Sequence, residues 1–336
     1  MIHELTSFVG SLRNEAGLLY PAPMRWMMAA NGAADLNDSV IFFGFEWNAS
    51  DPSLVVKAPR VPHNDWMLQI EYERLTELWN LLGSSAARCL PRPVAFTRFG
   101  TQSFLMLSYL EGESLTRAAR GTLWRDIDHT KTLAIKAARS LRFLDDGTAC
   151  RLEADDLALS DFRSKAQKFQ EMYELSEKEK RGLDDLVELV NQQYAQASHK
   201  ILLQGDFWHG NMIRDEKHDE LKFVDWQFSR WSVDASLDVY LFIMAGAFTV
   251  GRRQGGENVA KAVADRLSAW RSDLIPAYLE AYGRPESFVL LPLRYGMLSC
   301  CVEKTIRSEV EFGYRHPDDL VWRSLFTELL AWPKDD

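Results

Sequence analysis

The apolar positions of this chain change period about a third of the way along. In the first hundred residues they fall in short runs broken by Gly, Asn and Asp clusters. "MRWMMAA" (24–30) is apolar, "NGAADLND" is turn-like and "SVIFFGFEW" is apolar again. This predicts a hairpin with a long tip. "SLVVKAPR" (53–60) predicts a short strand, and "PVAFTRFGTQSFLMLSYLEG" (93–112) predicts two strands joined at Gly100. Between them, Leu68, Leu75, Leu78 and Leu82 keep helical spacing within 65–83, and Gly83 supplies a stop.

From about residue 113 the helical period takes over. One helix is expected around 128–145. Another is expected in "SEKEKRGLDDLVELVNQQY", opened by a Ser176/Glu179 capping box and buried along Leu183, Leu186, Val187, Val190 and Tyr194. "VYLFIMAGAFTV" (239–250) is too short to cross a bilayer and reads as a core helix. One β island, 201–228, interrupts the helices, which resume at about 235. The expected class is α+β: a β-rich lobe with one long helix over 1–107, a connector at 108–112, and a mostly helical lobe over 113–336.

Composition narrows the partners. The 336 residues are 46% hydrophobic and 26% charged, enough to build a core. A net charge of −9 argues against nucleic acid or an anionic membrane as the main partner. Cys89, Cys150, Cys300 and Cys301 show no C-x-x-C spacing, and two are adjacent. Buried thiols in a reduced cytoplasm are expected. "MIHELTSFVGSLRNE" lacks the apolar block of a signal peptide.

The island carries the candidate chemistry. In "LLQGDFWHGNMI" (202–213) an apolar run stops at Gly205 and Asp206, and Asn211 follows five positions later. "NMIR" and "LKFVDWQ" flank the charged "DEKHDE", so a hairpin is expected. Folding it about 215–220 sets Arg214 opposite Leu221 and Asn211 opposite Val224, one step from Asp225. Three oxygen-bearing side chains on a short rigid element suit a hard cation such as Mg²⁺. Asp, Gly and Asn are also common turn formers, and D-x-x-x-x-N alone is more often a turn. Asp225 at the hairpin end tips the balance toward a site.

With these residues the chain resembles the kinase-like phosphotransferases of small molecules: the aminoglycoside phosphotransferase, choline kinase and ecdysteroid-kinase-like group. "QGDFWHGN" looks like their H-G-D-x-x-x-x-N loop, and "FVDWQFSRWSVDASLDVYLF" like their later metal-binding segment and following helix. The Asp-to-Asn spacing is that of the protein-kinase catalytic loop. The resemblance runs from about 24 to about 245 and is strongest over 201–242. It implies a bilobal, protein-kinase-like fold. It also implies ATP and Mg²⁺ as cofactors and a hydroxylated small molecule as acceptor, such as a sugar, amino alcohol, antibiotic or other metabolite.

By that resemblance Asp206 is the catalytic carboxylate, and Asn211 and Asp225 hold the metal. Lys57 contacts the α- and β-phosphates and pairs with Glu71, with Glu73 as the alternative. Ser108 to Leu110 receive adenine through their backbone, and the tip around Gly32 covers the phosphates. Gln204 stands where the family has His. The phosphate loop has one glycine, and no D-F-G triplet, activation segment or A-P-E follows Asp225, which disfavours a protein substrate. A nucleotide-binding scaffold without catalysis is the other alternative. The retention of Lys57, Asp206, Asn211 and Asp225 together argues against it.

Other residues take plainer readings. Asp238 is expected to hold the loop or cap a helix. His209 is expected to be structural, and Trp208, Trp226 and Trp231 to pack around the loop, with one able to line an acceptor pocket. The acidic set Asp145, Asp146, Glu153, Asp155, Asp156 and Asp161 could attract a cationic, amine-bearing acceptor. A solvated connection between helices is the better reading.

Overall fold

The computed structural model describes residues 24–29, 39–115, 124, 126–153, 162–254 and 258–333. Two compact units account for them: the chain up to Gly112 together with Asp215–Ser229, and Glu113–Arg214 together with the chain from Arg230 onward. Periodicity alone assigns Asp215–Ser229 to the helical lobe, yet this segment packs with the first unit. Its anchors are specific: the Phe223 N–H donates to Cys89 O (2.8 Å), Arg88 pairs with Glu220 (2.7 Å) and Asp225 pairs with Lys57.

The first unit is built on an antiparallel sheet of β1 (Met24–Met28), β2 (Ser39–Glu46), β3 (Leu54–Pro59), β4 (Pro93–Phe99) and β5 (Gln102–Ser108). The strand order is β1-β2-β3-β5-β4. Helix α1 (Asp65–Leu82) sits between β3 and β4 in the chain, so β3 and β5 become neighbours across the insertion. Alternation along β3 turns Val56 and Ala58 into a core with Phe42, Phe104 and Met106, and turns Lys57 to the opposite face. On α1, Met67, Leu68, Glu71, Leu75 and Leu78 form the buried stripe. Each fully buried Leu contributes about 1.5–3 kcal/mol, and a charged Glu among them requires a partner. Gly83 closes the helix at φ 57°, a left-handed turn that favours glycine.

The second unit is mostly helical. Its helices are α2 (Ile127–Thr148), α3 (Phe162–Met172), α4 (Glu177–Tyr194), α5 (Ser236–Gln254), α6 (Val259–Trp270), α7 (Leu274–Tyr282), α8 (Leu293–Phe312) and α9 (Pro317–Leu329). The expected Ser176/Glu179 capping box opens α4; Leu183, Leu186 and Val190 are buried, while Val187 and Tyr194 are half-buried. The apolar "VYLFIMAGAFTV" is the heart of α5, buried from Val239 through Met244. Among the described residues, no helix is long and apolar enough to cross a membrane.

Short strands support the loop that carries Asp206. β8 (His199–Leu203) pairs antiparallel with β11 (Arg230–Ser232) on one side and β7 (Cys150–Arg151) on the other. β6 (Glu113–Ser114) pairs with β9 (Met212–Asp215). β10 (Glu220–Phe223) follows the charged turn, so strands flank "DEKHDE" as expected. The two-residue strands β6 and β7 fall outside the island and leave no periodic trace. The architecture is α+β: a five-stranded antiparallel sheet holding one long helix, followed by helices.

Candidate active site

In the first unit, three charges converge. Lys57 Nζ lies 2.8 Å from both Glu71 carboxylate oxygens and also pairs with Asp225. The Lys57 side chain is 6% exposed, Glu71 0% and Asp225 39%, so the first two hold each other in the interior while Asp225 reaches solvent. Burial alone pulls the Lys57 ammonium down. Asp225 and Glu71 outweigh it and leave its pKa raised. Burial raises the Glu71 carboxyl, and Lys57 opposes that shift. The Trp226 N–H, 3.4 Å from Glu71, adds a weaker contact. Asp225 itself sits at φ 61°, a left-handed conformation that Asp tolerates better than most residues. Glu73 is on the exposed face of α1, accepting from Gln69 (2.8 Å), so Glu71 is the partner of Lys57.

In the segment expected to receive adenine, two backbone N–H groups are already engaged, that of Ser108 among them. The Ser108 N–H donates to Arg92 O (2.9 Å), and the Tyr109 N–H donates to Ser53 O (3.2 Å). Both donors are spent in the sheet, so Ser108 has no N–H for a base. Leu110 is buried at the end of this segment. Gly32 lies outside the described residues.

In the second unit, the loop after β8 is held by its own polar groups. Gly205 turns at φ 77°. The buried Asp238 carboxylate, in the first turn of α5, accepts the N–H of Gln204 (2.6 Å) and of Gly205 (2.9 Å). Gln204 Oε1 accepts the Asp206 N–H (3.1 Å). Gln204 therefore supports the loop, and Asp238 clamps it. Burial pushes the Asp238 carboxyl up to about 6, with the two backbone donors and Arg230 opposing.

Asp206 and Asn211 then meet directly. Asn211 Nδ2 donates to Asp206 Oδ2 (3.1 Å) and to its backbone carbonyl (3.0 Å). Asp206 Oδ1 accepts from Lys304 Nζ (2.8 Å) and Arg307 Nη1 (3.0 Å), and Arg307 Nη2 also reaches the Gly205 carbonyl. Burial would raise the Asp206 carboxyl, but Lys304 and Arg307 outweigh it and hold it at about 2. These two cations, both on α8, face the candidate site and were not revealed by spacing. The segment "RYGMLSCCVEKTIRSEVEF" is visible in the sequence, but nothing there marks Lys304 and Arg307 as facing Asp206. The signal was present only as two cations three apart on a helix buried at Cys300, Cys301, Val302, Thr305 and Ile306.

A cavity of about 320 Å³ opens beside Asp206. Its lining includes Lys304, Arg307 and Ser308 together with the apolar Trp208, Phe248 and Trp322. Trp208 thus lines a pocket, whereas Trp226 is buried in the first unit. His209 is structural, as expected. It is buried edge-on against Trp124 (5.5 Å) and Trp208 (5.0 Å), and burial pulls its pKa down to about 4. The acidic set is not uniformly solvated. Asp145 is buried and accepts from Tyr282 (2.6 Å), while Asp146 pairs with Arg142 (2.7 Å). Asp155, Asp156 and Asp161 lie outside the described residues.

The donor chemistry fits a hard divalent cation. Asn211 Nδ2 is committed to Asp206, which leaves Oδ1 as the amide atom suited to a metal. Asp225 offers a part-exposed carboxylate. Among the described residues, no three His, Cys, Asp or Glu form a metal-holding group. Mg²⁺ commonly completes its shell with substrate phosphates and water rather than protein groups.

Comparison with known proteins gives a partial family match. Residues 142–274, about two-fifths of the chain, match the model of the ecdysteroid kinase-like family. That span includes Asp206, Asn211, Asp225 and Asp238 but neither Lys57 nor Lys304. No curated protein matches. Among solved structures, the chain is similar to aminoglycoside phosphotransferase APH(3'')-Id from Streptomyces rimosus ATCC10970: 18% identity, 87% of this chain and 96% of that chain covered, TM-score 0.49. The same protein in complex with ADP and streptomycin gives 19%, 83%, 97% and 0.42. Aminoglycoside-3'-phosphotransferase of type VIII gives 16%, 97%, 99% and 0.41.

Proposed function

We propose that this chain is an ATP-dependent phosphotransferase that moves the γ-phosphoryl group to a hydroxyl of a small molecule. The observation that carries the reading is Lys57, buried and clasped by Glu71 and Asp225. A lysine on the third strand paired with a glutamate on the following helix is the nucleotide-handling pair of kinases. The partial match to the ecdysteroid kinase-like family supports the same reading independently of Lys57.

Phosphoryl transfer needs positioning and charge neutralisation more than covalent help. Lys57, held in place by Glu71, binds the nucleotide phosphates. The Asn211 Oδ1 and the Asp225 carboxylate are the oxygens that would suit Mg²⁺, which would neutralise phosphate charge. Asp206 orients the acceptor hydroxyl and takes its proton. Its Oδ1 already accepts two cationic donors and its Oδ2 one amide N–H, so Oδ2 is the oxygen with room for the hydroxyl. The cavity beside Asp206 receives the acceptor, with Trp208, Phe248 and Trp322 against its apolar part.

Thermal unfolding with and without ATP and Mg²⁺ tests the nucleotide half of this reading. Saturating ATP at about 100 times its Kd stabilises the wild type by about 2.7 kcal/mol. Asp225→Asn and Lys57→Met are expected to lose most of that gain. An ATP-induced shift that both variants retain in full refutes the assignment.

A further inference from the structure

The loop that carries Asp206 brings no cation of its own: Phe207, Trp208, His209 and Gly210 separate it from Asn211. Two cations come instead from α8. Asp206 accepts hydrogen bonds from both, and Glu311 is a second carboxylate within their electrostatic reach. Arg307 has a second task, because it spans the Asp206 carboxylate and the Gly205 carbonyl and so ties the loop to the helix. Lys304 is different. Among the described residues its ammonium meets Asp206 Oδ1 alone, at 2.8 Å, although it carries three N–H donors. It also lines the cavity beside Asp206, with a side chain 16% exposed. With its side chain part-exposed to that cavity, its remaining donors are open to water or to a bound ligand.

We propose that Lys304 is a catalytic residue of the transfer step, binding the oxygens of the phosphoryl group as it passes to the acceptor at Asp206. The proposal rests on the phosphotransferase reading above and adds to it a charge from outside the loop. In the step, the bond between the γ-phosphorus and the bridging oxygen of the nucleoside triphosphate breaks, and its electron pair leaves on the diphosphate. A lone pair of the acceptor oxygen forms the new P–O bond, and the hydroxyl proton passes to Asp206 Oδ2. Lys304 neither gains nor loses a proton. It neutralises charge that the phosphoryl oxygens present during transfer, where a fixed cation acts without reorganisation. Its Asp206 contact pre-positions it: as Oδ2 engages the hydroxyl, Lys304 sits across the same carboxylate, on Oδ1. Arg307 keeps the loop in register and serves as a positioning residue.

The test needs no acceptor. ADP and Mg²⁺ are titrated calorimetrically into the protein with and without fluoroaluminate, an analogue of the phosphoryl group in flight. Wild type is expected to bind ADP more tightly with fluoroaluminate. Lys304→Met is expected to lose most of that enhancement, about 10²–10³-fold, with ADP affinity itself little changed. Lys304→Arg keeps a cation and is expected to restore a large part of it. Should Lys304→Met not fold, Lys304→Gln carries the same comparison. The proposal is overturned if the neutral variant keeps the full enhancement. Equal losses of ADP and of ADP with fluoroaluminate also overturn it, because that pattern marks a structural role. Wild type that binds ADP without any enhancement overturns it too. A wild type that binds no ADP at all refutes the phosphotransferase reading itself, and Lys304 falls with it.

Discussion

Replacing Lys57 with Met removes the cation that Glu71 and Asp225 share. The consequences differ for its partners. Asp225 is 39% exposed, so water can take over much of its solvation. Glu71 is 0% exposed and is left with the Trp226 N–H at 3.4 Å, too long to compensate a charge. Breaking a buried pair from one side costs about 3–5 kcal/mol. At a urea dependence of about 2 kcal/mol/M, this lowers the unfolding midpoint by roughly 2 M. Glu71→Met is milder, because Lys57 keeps Asp225, and about 2 kcal/mol is expected from the lost charge-assisted bonds. The double variant removes the stranded charge together with its cause. It is expected within about 2 kcal/mol of wild type, since apolar replacement of a whole buried pair is often nearly neutral. The resulting coupling energy is about 3 kcal/mol or more. Urea unfolding of all four proteins, followed by tryptophan fluorescence, measures it. Additive losses, or a Lys57→Met variant within about 0.5 kcal/mol of wild type, refute the claim that this pair is a desolvated unit.

Two further outcomes follow from packing and burial. A Cβ at Gly296 would lie 1.9 Å from the Tyr240 ring, whose hydroxyl is fixed to the Leu291 carbonyl (2.5 Å), so Gly296→Ala is expected to destabilise by about 1–3 kcal/mol and to move α8; wild-type unfolding in the alanine variant contradicts this close approach. Burial raises the Asp234 carboxyl to about 6, against opposing hydrogen bonds from Ser236 and Tyr194. A raised folded-state value contributes stability that is complete below the unfolded value near 3.8 and lost as pH rises through 6, about 3 kcal/mol in all. Asp234→Asn is expected to flatten that part of the pH–stability curve, and identical curves for the two proteins would count against the buried carboxylate.

How much of this was legible beforehand depends on the range of each interaction. Strands β2 to β5 and helix α1 announce themselves through local period and through Gly83 and Gly100. Glu71 could be preferred over Glu73 only through the resemblance, because Leu75 and Leu78 then fall where that family has apolar residues. The Asp206–Asn211 contact is five residues long and needs only one turn. By contrast, Asp215–Ser229 joins the first unit through contacts with Lys57 and Cys89 more than 130 residues away, which no local pattern encodes. The spent N–H groups of Ser108 and Tyr109 depend on sheet pairing with Arg92 and Ser53. Lys304 and Arg307 reach Asp206 from about a hundred residues downstream. On α8 they read as ordinary helix-surface cations until the loop is placed against them.

The central claim is that Asp206 serves phosphoryl transfer to a hydroxyl. The most direct test incubates wild type and Asp206→Asn with ATP, Mg²⁺ and a library of hydroxylated metabolites, and follows products by mass spectrometry alongside ADP release. The account predicts a phosphorylated product formed one-for-one with ADP, and a fall of about 10²–10⁴-fold in its rate in Asp206→Asn with ATP binding intact. Transfer that proceeds at the wild-type rate in Asp206→Asn contradicts it.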